Sequence, residues 1–154
     1  MRKLREVEEA KALMTEAMEW SVFTWLFQKG RVRQTADDAN DALDKYNKSV
    51  KAHWSSELKA AYKSLCGKNG AAAKSAAYGD ISEETRDHVR KVKEADEAAH
   101  QARMTAEDTF DEAERRMNTA LAREGCQQAI HSWELHEKAI RRAESVPTSS
   151  DLGK

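Results

Sequence analysis

Glu97 and His100 sit in the stretch "EAAH", a Glu-x-x-His spacing. On a helix this puts a carboxylate and an imidazole one turn apart on the same face, and di-iron and di-manganese bundles use two such pairs among their ligands. A second group lies in "HSWELHE", where His131 and Glu134 share the spacing in reverse order and His136 follows. A complete dinuclear site needs a second Glu-x-x-His pair and two further glutamates. Neither His53 nor His136 supplies it, because Val50 and Trp133 occupy the positions three residues before them. Glu97, His100, His131 and Glu134 are therefore weak metal candidates, and no metal or other cofactor is expected.

Other chemistries find less support. "GKNG" at 67–70 lacks the spacing of a phosphate-binding loop. No Gly-x-Ser-x-Gly or His-Glu-x-x-His occurs, and neither Cys66 nor Cys126 is placed near a histidine at an interpretable spacing. The two cysteines, far apart and in no Cys-x-x-Cys pattern, read as reduced thiols of a cytoplasmic protein. No continuous apolar segment opens the chain, so no secretory signal is expected. Twenty-six Lys and Arg against 27 Asp and Glu leave a net charge of −1. The cations are interleaved with acids, as in "REVEEAK" and "DEAERR", and form no stripe of the kind that binds nucleic acid. The expectation is a protein without catalysis.

The elements that carry these residues are helices. Ala, Glu, Lys and Arg dominate the 154 residues, with one proline and six glycines, and these are strong helix formers. Apolar residues recur at helical spacing in four runs. They are Leu4, Val7, Met14, Met18, Val22 and Trp25; then Val32, Ala36, Ala39, Leu43, Tyr46, Val50, Trp54, Ala61 and Leu65; then Val89, Val92, Ala99, Ala106, Phe110, Ala113, Met117 and Leu121; then Ala129, Trp133, Ile140 and Ala143.

Residues 67–80, rich in Gly and small polar residues, read as a loop, and "DISEE" after it as a helix start capped by Asp80 or Ser82. Pro147 ends helix, leaving 147–154 as a disordered tail. The expected fold is all-α: one domain over 1–146, with long antiparallel helical halves at about 2–66 and 81–145. They would pack in coiled-coil fashion as a hairpin or a four-helix-like bundle. Gly30 and Gly125 are the candidate breaks. Unequal segment lengths argue against a bundle folded there and favour long helices, with a kink at Gly30. Folding the chain about residue 73 sets Gly125 opposite Val22 and Phe23.

One block does not fit a solvated rod. "WSVFTWLF" at 20–27 carries two tryptophans and two phenylalanines, followed by the cations Lys29, Arg31 and Arg33. Such a helix is apolar nearly all round and must be enclosed. Trp20, Phe23, Trp25, Leu26 and Phe27, with Trp54 and Trp133, are thus expected to anchor a core or an interface, completed by oligomerisation into a homodimer or by a protein partner. A lipid surface touched by the rings, with Lys29, Arg31 and Arg33 near the headgroups, is the alternative. The function expected is that of a non-enzymatic scaffold or protein–protein interaction module. Peripheral lipid binding stands second, and a metal-binding bundle third.

Overall fold

The computed structural model describes residues 2–66 and 83–146, with all side chains among them except those of 57 and 64–66. The expected loop over 67–80, the caps Asp80 and Ser82 and the tail 147–154 lie outside the described residues. Within them the protein is all-α, with five helices packing against one another: α1 (Arg5–Ala17), α2 (Val22–Ala52), α3 (Ser56–Cys66), α4 (Glu83–Arg116) and α5 (Thr119–Ser145).

Among the described residues the breaks are set by capping side chains and not by glycines. The Ser21 hydroxyl accepts the Thr24 N–H at 3.3 Å and starts α2. Ser55 does the same for Leu58 at 3.3 Å and starts α3. Asn118 accepts the Leu121 N–H at 3.2 Å and starts α5. Each removes one of the donors that a helix leaves orphaned in its first turn. Gly30 and Gly125, the expected break points, both lie inside helices. A helical glycine costs about 1 kcal/mol relative to alanine, which a long packed helix absorbs without parting.

The turn after α4 is a Schellman motif. The Asn118 N–H donates to the Ala113 carbonyl at 3.0 Å and the Met117 N–H to the Glu114 carbonyl at 3.3 Å. The position that closes this motif is left-handed and usually glycine. Here it is Met117, with φ 49°, and its side chain is exposed although the apolar stripe includes it. Met117→Gly should therefore raise stability by about 1 kcal/mol by relieving the Cβ strain. Chemical denaturation would measure it, and a lower midpoint would contradict the strained turn.

That turn brings α5 back along α4. Gly125 meets the Phe110 ring, Ala106 shares a cavity wall with Ala129 and Trp133, and Val92 clusters with Ala143 and Val146. Gly125 thus faces Phe110, not Val22 and Phe23, because the chain doubles back at Met117–Asn118. The main core gathers Val7, Leu13 and Met14 of α1, Trp25, Val32 and Leu43 of α2, and Phe110, Trp133 and Ile140 of α4 and α5. A smaller cluster joins Trp54 and Leu58 to Val89, Val92 and Ala143. Much of the main core is alanine, so its few large rings supply a large share of the buried apolar area.

Candidate functional site: an exposed ring pair and a polar cavity

The aromatic block divides sharply. Trp20 is buried behind the α1–α2 break, and Trp25 is buried with its ring stacked on Phe110, centroids 6.0 Å apart and planes 13° from parallel. Leu26 is half-buried. Phe23 and Phe27 point away from the core, 71% and 89% exposed. The core face of α2 is set by Trp25, Val32, Ala39 and Leu43, and positions 23 and 27 lie on the other side of the helix at 100° per residue. The enclosure expected for the whole block is thus met within the chain for the tryptophans and not for the two phenylalanines. Gly30 shares their face, and a Cβ built there would meet nothing within 4 Å.

The cations after the block also part company. Arg33 turns to α4, bonding Asp111 at 2.7 Å and Glu114 at 3.2 Å while its guanidinium lies 5.6 Å from the Phe110 ring centroid. Among the described residues Arg31 reaches only Gln28, at 3.4 Å, and is exposed; Lys29 is half-buried.

Trp54 and Trp133 are buried and each spends its indole N–H. Trp54 donates to the Ala143 carbonyl at 3.0 Å, satisfying one of the free acceptors in the last turn of α5. Trp133 donates to the Asn40 Oδ1 at 2.9 Å. Asn40 itself is only 5% exposed. Beside this pair is a partly enclosed cavity of about 210 Å³ between α2, α4 and α5. Ala36, Ala106 and Ala129 make the space, and Phe110 and Trp133 supply apolar wall. Arg33, Asp37, Arg103 and Glu107 bring charge to it. Arg103 bonds Asp44 at 2.9 Å and Glu107 at 3.4 Å. Burial pulls its pKa down, but these two carboxylates outweigh that and raise it. Sequence reasoning passed over Asn40. Its one signal is an amide between the core positions Ala39 and Leu43 of an apolar stripe, where a polar side chain needs a partner.

A second polar knot lies further along. Asp96 accepts from Lys51, Tyr62 and Asn47, tying α4 to α2 and α3. His136 is nearby on α5; burial lowers its pKa, and the charges of Asp44, Arg103, Asp96 and His100 act on it with mixed sign. Cys126 is a buried free thiol whose pKa burial pushes up to about 12, so it is not a nucleophile at neutral pH.

The metal candidates fall on two helices. Glu97 and His100 are exposed on α4, at the edge of a cleft shared with Tyr62, Lys93 and Asp96. His131 and Glu134 are exposed on α5. Among the described residues no three His, Cys, Asp or Glu side chains converge to hold a metal ion, and no helix is long and apolar enough to cross a membrane. No family model, curated protein or solved structure matches the chain.

Proposed function

We propose that this protein is a non-enzymatic helical interaction module that works as a homodimer, joined through the outer face of α2 around Phe23 and Phe27. The observation that carries this reading is the 71% and 89% exposure of those rings on a helix whose other large apolar side chains are buried or half-buried. Each phenylalanine withdrawn from water is worth about 1.5–3 kcal/mol. In this reading the long helices pack antiparallel within one chain and the second copy covers what one chain leaves wet.

A second copy suits the patch because the patch is self-complementary. A twofold contact centred on Phe27 sets each Phe27 against its counterpart. Arg31, four residues after the centre, then meets the partner's Phe23, four residues before it, in a cation–π contact. Gly30 on the same face leaves room for close approach of the second helix. The two rings offer only about 300 Å² per copy, against about 800 Å² per partner in a standard interface, so flanking turns must contribute and the dimer should be weak. The lipid alternative is less favoured, since Arg33 is held by Asp111 and Glu114 and Asp37, Asp38 and Asp41 follow closely.

Sedimentation equilibrium against concentration tests this. Dimerisation with a dissociation constant of about 1–100 μM is expected, abolished in Phe23→Ser/Phe27→Ser. Gly30→Ala separates the two roles of that position. It should stabilise the monomer by about 1 kcal/mol, because the added methyl meets nothing and alanine favours helix, yet weaken the dimer about tenfold, a cost of about 1.4 kcal/mol. A chain that stays monomeric above about 100 μM would overturn the dimer. Loss of binding to anionic vesicles in the serine variant would then transfer the patch to a lipid surface.

A further inference from the structure

We infer that His136 is a proton-operated switch on the buried face of α5: the packing of α5 against α2 and α4 is intact while the imidazole is neutral and loosens when it takes up a proton. The placement comes first from the sequence. Ala129, Trp133, His136, Ile140 and Ala143 follow one another at spacings of four, three, four and three, which keeps them on one side of a helix. The others in this row are buried, and the histidine is half-buried among them. Of the five, it alone has a side chain that can gain a charge.

Charged groups surround the ring. Asp44 acts on it from α2, and Asp96, His100 and Arg103 act on it from α4. Both carboxylates are already engaged. Asp44 binds Arg103 at 2.9 Å, and Asp96 accepts from Lys51 and Asn47 of α2 and from Tyr62 of α3. On the α1 side, Lys11 is paired with Glu137 at 2.6 Å. His136 Nε2 is buried and has no hydrogen-bond partner among the described residues. A neutral imidazole tolerates this, since the tautomer with its proton on Nδ1 leaves Nε2 bare. The imidazolium carries a proton on both nitrogens. It would bury an unpartnered N–H, together with a positive charge that Arg103 repels.

Burial is the largest influence on this histidine and holds its pKa below the ordinary 6.5; Asp44 and Asp96 pull it up, and Arg103 and His100 push it down. The sign of the pH effect follows. The unfolded chain takes up this proton at about pH 6.5, before the folded chain does. The stability contributed by the neutral ring is therefore whole above about pH 6.5 and is lost as the pH falls below it.

The test is urea unfolding of the full chain at about pH 7.5 and at about pH 5, with His136→Gln beside the wild type. Glutamine keeps a polar side chain and takes up no proton, and every other titrating group is common to both proteins. Between the two pH values the folded-to-unfolded ratio of the wild type should fall at least about threefold further than that of the variant. Should His136→Gln fail to fold, the His136 ring resonances of the wild type, followed by NMR, carry the test: their midpoint should lie below about pH 6.5. A smaller difference between the two proteins, or a midpoint at or above that value, would overturn the inference. So would a wild type that gains on the variant in acid. That result would mean that the imidazolium finds an acceptor such as Asn47 Oδ1, which is also buried without a hydrogen-bond partner among the described residues.

Discussion

Trp133→Ala is expected to destabilise the fold by about 3–5 kcal/mol, the range for removing a large buried aromatic side chain. Trp133 is 1% exposed and belongs to the main core. The loss has two parts. The void left by the ring merges with the cavity already present beside it, and helices pinned on both sides by other contacts cannot collapse to fill it. The Asn40 oxygen also loses its N–H donor at 2.9 Å, and an unsatisfied buried polar group costs about 1–3 kcal/mol. Phe27→Ala is the natural control. Its ring touches solvent, so the monomer should change by no more than about 0.5 kcal/mol. Urea denaturation of both at low concentration would check the contrast. Equal losses would mean that the core does not pass through Trp133 as described.

Gly125→Leu should cost about 3 kcal/mol or more by overpacking. A Cβ at residue 125 would sit 2.9 Å from both Cδ1 and Cε1 of Phe110, closer than carbons can approach. The ring has no easy escape: Trp25 is stacked on one side of it and the Arg33 guanidinium lies 5.6 Å from its centroid. The gain from replacing a helical glycine, about 1 kcal/mol, offsets only part of this. The double variant Gly125→Leu/Phe110→Ala should be more stable than the sum of the two single losses, since the leucine then occupies the vacated space. Thermal unfolding of the four proteins closes the cycle. Strict additivity would show that the two residues do not press on each other.

Gly125 shows how far local reading reaches. A glycine making room for a ring is a sound inference from residue types, but the ring is Phe110 and not Phe23. The choice depends on where the chain turns, and it turns at Asn118. The signals for the true breaks were in the chain as Ser21, Ser55 and Asn118, small polar residues able to cap. The apolar stripe runs through all three without losing phase, so periodicity could not see them. Most stripe positions did prove buried, among them Val32, Ala39, Leu43, Val89, Val92, Ala106, Phe110, Trp133 and Ile140, because a 3.6-residue repeat and a helix's apolar face are one geometric fact.

The amino-acid sequence by itself determined the helical class and which residues of each regular amphipathic segment go inside, since propensity and spacing act over a single turn. Only the tertiary structure decided which rings of the block at 20–27 are covered. Where apolar side chains surround a helix, no azimuth is marked as inward, and the neighbours choose. They placed Trp25 against Phe110 and left Phe23 and Phe27 in water. They also made the cavity beside Asn40, whose walls come from three helices more than sixty positions apart in places, a juxtaposition that no local pattern encodes.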